Sequence, residues 1–115
     1  MKRILIVDDD EDIVEVVKLI LTSHGFNVHT HFTSFNIPEI VKDYHPNLIL
    51  LDIRLFGKLG TQICKELKQK HTFPIILFSA DTKMGKEFLQ YNADDFIKKP
   101  FDVNELIATI SSHLN

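Results

Sequence analysis

The acidic residues near the N-terminus are the first that could do chemistry. Residues 4–12 read ILIVDDDED, so four apolar residues lead directly into five acidic ones. Burial makes a carboxylate costly to ionise, and neighbouring carboxylates raise each other's pKa. Such a cluster at the end of a buried segment therefore indicates a hard divalent cation, or a fixed positive charge, beside it.

Three further reactive side chains each follow another apolar segment. Asp52 follows LILL, Ser79 follows IILF, and Lys99 follows FIK. A carboxylate that attacks phosphorus forms an acyl phosphate, and the charge on the phosphoryl oxygens then requires a metal, an ammonium group and a hydroxyl donor. Asp52 is the predicted nucleophile, and it would share Mg²⁺ with Asp9. Ser79 and Lys99 have the chemistries of the hydroxyl donor and the ammonium group.

The apolar pattern predicts the strands that must position these residues. Residues 4–7, 48–51 and 74–78 are nearly continuously apolar, as in inner strands of a parallel sheet that is covered on both faces. The stretch NVHTHF, residues 27–32, alternates polar and apolar side chains, which predicts a half-exposed edge strand. DDFIKK, residues 94–99, supplies a last short strand. The reactive residues thus fall at strand ends.

Periodic apolar residues predict the first and last helices. The inward stripe of the first helix, which ends near Gly25, comprises Ile13, Val16, Val17, Ile20 and Leu21. The last helix begins at Asp102, which with Glu105 three residues later resembles a capping box. Its inward stripe comprises Val103, Leu106, Ile107, Ile110 and Leu114.

Three shorter helices are predicted in between. They lie around residues 37–41, from 59 to 70, and from 83 to 91, where Gly85 weakens the helical pattern. Five strands alternating with five helices predict a doubly wound α/β fold, because parallel strands need crossover connections. In such folds the site lies at the carboxyl ends of the strands, where the reactive residues occur.

Length, charge and cysteine content narrow the class of protein. A chain of 115 residues has the size of one domain, so we expect 1–115 to form a single domain. The net charge of −3 does not favour binding to nucleic acid or to an anionic membrane. Cys64 is the only cysteine, which excludes an internal disulfide, and we expect it to be a buried helix residue. The short apolar stretch after the N-terminal MKR argues against a signal peptide or membrane span and favours a cytoplasmic protein.

The strand ends also carry a family pattern. They read VDDD, LLD, FSA and KKPF, in that order, over essentially the whole chain. This distributed pattern resembles the receiver domain of two-component response regulators, the CheY-like type. The resemblance implies a flavodoxin-like (βα)5 sandwich with helices on both faces of a sheet in the order 2-1-3-4-5.

The resemblance also implies roles for individual residues. Asp52 would be the phosphoacceptor, and Lys99 would pair with the phosphoryl group. The implied ligands of Mg²⁺ or Mn²⁺ are Asp8, Asp9, Asp52 and the backbone carbonyl of Arg54. By this resemblance the chain would be a regulatory phosphoacceptor rather than an enzyme, although it would catalyse its own phosphorylation and dephosphorylation.

A conformational switch is implied as well. Ser79 would move to the phosphoryl oxygen, the ring of Phe96 would rotate inward, and the surface of the fourth helix, fifth strand and fifth helix would change. The peptide bond before Pro100 would be cis. The implied phosphoryl donor is a sensor histidine kinase or a histidine phosphotransfer protein. The output would be a protein effector or an attached output domain, without direct contact to nucleic acid or membrane, and the chain would be a monomer or, once phosphorylated, a dimer.

The segment after Asp52 departs from the family pattern. Many receivers carry Met-Pro and then Asp-Gly there, whereas this chain reads DIRLFGKLG, with Phe56 in the proline position and Gly60 retained. We expect a loop of different shape that still offers a backbone carbonyl to a metal. Arg54 and Asp81 are predicted to face each other across the pocket and to modulate attack of water on the phosphoryl group.

Other interpretations of these residues stay open. Asp8 and Asp10 form the Asp-x-Asp of haloacid-dehalogenase-like phosphatases, although those enzymes generally run longer and would leave Asp52 unexplained. A receiver-like module that binds a partner without phosphorylation is a third class, suggested only by the altered loop. His29 and His31 share a strand face and could bind metal, but no third ligand is evident. The acidic run could also suit a helix N-terminus, with Asp10 as its cap.

Overall fold

A single parallel sheet organises the protein, and the computed structural model describes residues 1–114 of it. The strands are β1 Arg3–Val7, β2 Asn27–His31, β3 Leu48–Asp52, β4 Ile75–Ser79 and β5 Asp95–Lys98. Their order is β2-β1-β3-β4-β5, and every neighbouring pair is parallel. The predicted doubly wound fold and its strand order are confirmed, and β2 lies at an edge as its alternating sequence indicated.

Helices cover both faces of this sheet. They are α1 Glu11–Ser23, α2 Ile37–Tyr44, α3 Gly60–Lys68, α4 Thr82–Lys86 and α5 Val103–Ser112, with a short 3-10 helix at Phe88–Tyr91. Residues of α1 and α5 pack in one core layer, and residues of α2, α3 and α4 pack in the other. Within residues 1–114, no helix has the length and apolar character needed to cross a membrane.

Alternating strand residues build the two core layers. Leu5 and Val7 of β1 face the layer under α2 and α3, whereas Ile4 and Ile6 face the layer under α1 and α5. All four side chains are at most 1% exposed, which explains why the strand is apolar without interruption. Cys64 is buried in α3 as predicted, and burial raises the pKa of its thiol to about 12.

The predicted helix over 83–91 is wrong in its continuity. The chain forms the five-residue helix α4, leaves helical geometry at Glu87 (φ −91°, ψ 20°), and then forms the separate 3-10 helix. Gly85 lies inside α4, where it costs about 1 kcal/mol of helix propensity relative to Ala. Asn92 follows the 3-10 helix as its C-cap, with a left-handed φ of +64°, a conformation that Asn tolerates well.

Two residues of the predicted inward stripes face solvent instead. Val16 is 49% exposed and Val103 is 45% exposed. In α1 the buried positions are Val14, Val17 and Leu21, so the helix is rotated slightly from the predicted orientation. The apolar residues of α1 span more of its circumference than the sheet can cover, and periodicity alone does not show which edge of the stripe is left uncovered.

Side-chain caps define where α1 and α5 begin. Asp10 Oδ1 accepts hydrogen bonds from the backbone N–H groups two and three residues further on, at 3.1 and 3.2 Å. Asp102 Oδ1 does the same at the start of α5, at 2.7 and 3.1 Å. These caps satisfy N–H groups that have no partner within the helix. They leave Asp8 and Asp9, just before α1, as the acidic residues nearest the strand end.

Candidate functional site

The carboxyl ends of β1, β3, β4 and β5 open into one cleft of about 550 Å³. The cleft lies where strand order reverses on either side of β1, the usual location of a site in a doubly wound sheet. The predicted site residues that line it are Asp8, Asp9, Asp52, Arg54, Ser79, Asp81 and Lys99. Asp10 also contributes to its wall.

Three carboxylates form the floor and one side of the cleft. Asp8, Asp9 and Asp52 each offer an oxygen, and these oxygens all lie within 4.8 Å of one another. Asp8 is fully buried and Asp52 is 6% exposed, whereas Asp9 is exposed to solvent. Hard oxygen donors at this spacing have the chemistry that Mg²⁺ and similar cations prefer. The cluster could therefore hold a divalent metal.

Lys99 supplies the fixed positive charge of the cleft. Its Nζ lies 2.6 Å from Asp8 Oδ2 and 3.8 Å from Asp52 Oδ1. The ammonium group also lies over the Phe78 ring, 4.8 Å from the ring centroid, where the negative face of the ring attracts a cation. Because Asp8 is fully buried, this contact keeps its charge compensated.

The electrostatics of Asp52 differ from those of an ordinary surface carboxylate. Burial, and next the negative charge of Asp8, raise the pKa of Asp52 to about 7. Lys99 and the backbone N–H of Arg54 act in the opposite direction, and the charge of Asp9 adds to the increase. The metal-free cleft therefore disfavours a third negative charge, and a bound cation would restore ionisation.

Ser79 and Asp81 are joined through the loop that follows β4. Ser79 is 3% exposed, and its Oγ accepts a hydrogen bond from the Asp81 backbone N–H at 3.0 Å. Asp81 Oδ1 in turn accepts from the Met84 backbone N–H at 3.1 Å, in the first turn of α4. Two hydrogen bonds therefore connect the Ser79 hydroxyl, through Asp81, to the first turn of α4.

Arg54 and Asp81 meet across the mouth of the cleft. Arg54 Nη2 donates to Asp81 Oδ2 at 2.6 Å, which joins the loop after β3 to the loop after β4. The Met84 backbone N–H, followed by the Arg54 guanidinium, holds the pKa of Asp81 below its usual value. The Arg54 backbone N–H lies 3.4 Å from Asp52 Oδ1. The pair faces across the pocket in the way the sequence suggested.

Phe96 and Pro100 lie near the cleft without lining it. Phe96 is on β5, half-buried, and packs against the core layer under α2 and α3. The peptide bond between Lys99 and Pro100 is cis.

The side chains of His29 and His31 each contact another group of the protein. The His29 ring lies against the Tyr44 ring, with 5.2 Å between centroids, and His31 Nε2 donates to the Phe35 carbonyl at 2.6 Å. In the part of the chain that the structure describes, Asp8, Asp9 and Asp52 are the group of three side chains with metal-binding spacing.

Two contributors to the site carried little or no sequence signal. Phe78 looked like one more apolar strand residue, and its position beneath the Lys99 ammonium depends on strand pairing. Gly60 was noted as a retained glycine, but its contact with the Asp52 backbone appears only in three dimensions.

Comparisons with known proteins agree with this geometry. The sequence profile of the response regulator receiver domain matches residues 4–111. The BeF3-activated N-terminal receiver domain of RstA from Klebsiella pneumoniae superposes with a TM-score of 0.94 at 28% identity, over 99% of each chain. The receiver domain of NtrX from Brucella abortus gives 0.89 at 32% identity, over 96% of this chain and 97% of that one.

A further solved structure comes from Bacteroides fragilis. It is the N-terminal signal receiver domain of a two-component system response regulator, with a TM-score of 0.91 and 27% identity, and the match covers 100% of this chain and 98% of that one. Since the profile spans most of the chain and the strand order is the same five-stranded arrangement, the chain belongs to the response regulator receiver domain family of two-component systems.

Proposed function

We propose that the chain is a phosphoacceptor switch that receives a phosphoryl group on Asp52. The observation that carries the proposal is the position of Asp52, which shares the cleft with Asp8 and Asp9 oxygens within 4.8 Å and with Lys99 at 3.8 Å. A carboxylate between a metal-binding pair and an ammonium group is set up for phosphoryl transfer, which depends on positioning and charge stabilisation.

Mg²⁺, or Mn²⁺, fits the donor set of the cleft. Asp9 and Asp52 would hold it together with the Arg54 backbone carbonyl, and Asp8 would complete the acidic environment. When bound, the metal would neutralise the negative charge that develops on the phosphoryl oxygens.

Asp52, Lys99 and Ser79 would carry out the phosphoryl transfer. An Asp52 oxygen forms a bond to phosphorus while the P–N bond of a donor phosphohistidine breaks, and the imidazole leaves with the electron pair and takes up a proton. The Lys99 ammonium stabilises the charge on the transferred group, and the Ser79 hydroxyl donates to it. The donor would be a sensor histidine kinase or a histidine phosphotransfer protein.

The output of the switch would be a change in surface. Ser79 would exchange its contact with the Asp81 backbone for the phosphoryl group, and Phe96 would rotate inward. The hydrogen bonds that link Ser79, Asp81 and the first turn of α4 support such coupling. The altered surface of α4, β5 and α5 would bind a protein effector or an attached output domain, with the chain as a monomer or a phosphorylation-dependent dimer.

We also propose the domain organisation, the cellular location and the self-catalysed reactions of the chain. Residues 1–115 would form one receiver unit that works in the cytoplasm, catalyses its own phosphorylation and dephosphorylation, and turns over no separate substrate as an enzyme would.

Small phosphodonors test this function without knowledge of the kinase. We expect acetyl phosphate with Mg²⁺ to add one phosphoryl group to the wild-type chain, seen as a retarded band on a phosphate-affinity gel at short times. Asp52→Asn should give no retarded band, and neither should wild type in EDTA. Asp102→Asn is the matched control, because Asp102 caps α5 with its side chain and does not line the cleft, so its replacement should preserve labelling. A wild-type chain that stays unlabelled would favour the phosphorylation-independent module.

Asp81→Ala should change how long the phosphoryl group persists. The variant removes the partner of Arg54 at the cleft mouth, which alters access of water to the acyl phosphate, but it leaves Asp52 and Lys99 in place. We expect a lifetime changed by about threefold or more, without loss of the ability to be labelled, measured by the decay of the labelled band once the phosphodonor is removed. Arg54→Ala should have a similar effect and the double variant no additional one; an unchanged lifetime in Asp81→Ala would contradict this role.

A further inference from the structure

Gly60, the first residue of α3, lies directly against the backbone of the phosphoacceptor. A Cβ built at Gly60 would overlap the Asp52 carbonyl oxygen, and it would lie 2.9 Å from the Asp52 carbonyl carbon and 3.0 Å from Ile53 Cα. These neighbours are backbone atoms of buried residues, Asp52 at the end of β3 and Ile53 after it, so they cannot swing aside as a side chain would. Any side chain at position 60 must displace either the strand end or the start of α3.

Proximity, and not conformation, is what requires glycine here. Gly57 has a φ of +93°, where a side chain is strained, whereas Gly60 has no positive φ. Gly60 also donates its N–H to the Ile53 carbonyl at 2.7 Å, and Arg54 forms an isolated antiparallel bridge with Leu59. The loop after β3 is therefore closed at its base by Gly60, against the peptide that follows Asp52.

The contact between Gly60 and the Asp52 backbone lies next to two groups that the proposed metal and phosphoryl site needs in a fixed orientation, the Asp52 carboxylate and the Arg54 carbonyl. The Asp52 carboxylate must stay within reach of Asp8, Asp9 and Lys99, and the Arg54 carbonyl is only two residues further along the same backbone. Misplacement of a reacting group by about 1 Å can cost on the order of 10²-fold in rate. A backbone shift at residues 52–53 would move both groups at once.

We propose that Gly60 is a positioning residue of the phosphoryl-transfer site, which sets the direction of the Asp52 carboxylate and the Arg54 carbonyl through direct backbone contact. This inference rests on the proposed function, because it assigns a role in the same site. It predicts that a side chain at position 60 impairs metal binding and phosphorylation beyond any loss of stability.

The test compares Gly60→Ala with two matched controls. Gly57→Ala strains the same loop without approaching Asp52, since its Cβ would meet Ser34 and Phe35. Leu67→Ala destabilises α3 by leaving a cavity on its buried face, away from the cleft. Metal affinity is measured by the effect of Mn²⁺ on water proton relaxation and by competition with Mg²⁺, at a temperature where circular dichroism shows each variant folded. The labelling rate with acetyl phosphate is recorded alongside.

The expected result is a dissociation constant for Mn²⁺ and Mg²⁺ raised about tenfold or more in Gly60→Ala, with labelling slowed at least as much. Both controls should stay within about twofold of wild type. If Gly60→Ala loses stability but binds metal and accepts phosphate as the controls do, Gly60 is only a packing residue and the inference is overturned.

A second measurement needs no variant and applies even if Gly60→Ala fails to fold. By linkage, a contact that positions the site must itself become more stable when the site is filled. Hydrogen exchange of the Gly60 N–H in the wild-type chain should slow about fivefold or more when Mg²⁺ and beryllofluoride are added. The Gly25 N–H, at the opposite end of the sheet, is the internal reference. Equal change at both positions, or none at Gly60, would refute the inference.

These outcomes stay separate from the test of the proposed function. If the wild-type chain neither binds metal nor accepts phosphate, the proposed function fails. If the wild type does both and the two measurements on Gly60 are negative, only the positioning role fails.

Discussion

Lys99→Met is expected to slow phosphorylation from acetyl phosphate by about 10²- to 10³-fold, the loss typical of removing one preorganised charge-stabilising group. Its ammonium lies 3.8 Å from Asp52 Oδ1, close enough to reach a phosphoryl group on that oxygen. Met keeps most of the apolar length of the side chain and its packing near Phe78. The rate is read from the labelled fraction over time at saturating Mg²⁺.

The same substitution should also destabilise the fold, by about 3–5 kcal/mol in the free energy of unfolding. Asp8 is fully buried, and among the described residues Lys99 is the one that forms a salt bridge with it, at 2.6 Å. The substitution therefore leaves a buried carboxylate without its positive partner. Denaturant unfolding at pH 7 measures this change. Lys98→Met is the matched control, because Lys98 is the exposed preceding lysine, and it should alter neither rate nor stability. Equal behaviour of the two variants would contradict the role given to Lys99.

Asp52→Asn is expected to stabilise the metal-free protein at neutral pH while abolishing its function. The pKa of Asp52 is about 7 in the folded chain and near 3.8 in the unfolded one. Well below pH 3.8 the carboxyl is protonated in both states and contributes nothing. Between pH 4 and 7 the unfolded chain loses the proton first, so ionisation increasingly favours unfolding. At about 1.4 kcal/mol per pKa unit, the gain from Asn should be on the order of 2–4 kcal/mol at pH 7.

Denaturant unfolding in EDTA at pH 4.5, 6 and 7.5 measures this gain. It should grow with pH, and added Mg²⁺ should narrow it, because metal stabilises wild type through binding to the folded state. Asp43→Asn, at an exposed position of α2, is the control and should show no such trend. A gain that is absent, or that is constant across this range, would show that the cleft does not penalise the Asp52 charge.

The fold was predictable because its signals are local and repeated. Nearly continuous apolar runs at 4–7, 48–51 and 74–78 predict strands buried on both faces, and the helical stripes between them require crossovers. Where the pattern was ambiguous, packing decided. Val16 belongs to the apolar stripe of α1 by spacing but is exposed, and the chain leaves helical geometry at Glu87 within a segment whose spacing alone suggested one helix.

The site was predictable to the extent that it depends on strand order. Once parallel strands are assumed, Asp8, Asp52, Ser79 and Lys99 must converge, whatever the details of the loops. The Phe78 ring beneath Lys99 and the approach of Gly60 to the Asp52 carbonyl depend on distances of a few ångströms between segments far apart in sequence or across a loop. Spacing along a single chain carries no measure of such distances.

Chemical identification of the modified residue tests most directly whether Asp52 is the phosphoacceptor. The chain is incubated briefly with acetyl phosphate and Mg²⁺, reduced with sodium borohydride, digested and sequenced by mass spectrometry. Reduction converts an aspartyl phosphate to homoserine, so we predict homoserine at position 52 and only in the sample that contained both reagents. Homoserine at another aspartate, or unmodified aspartate throughout, would contradict the account.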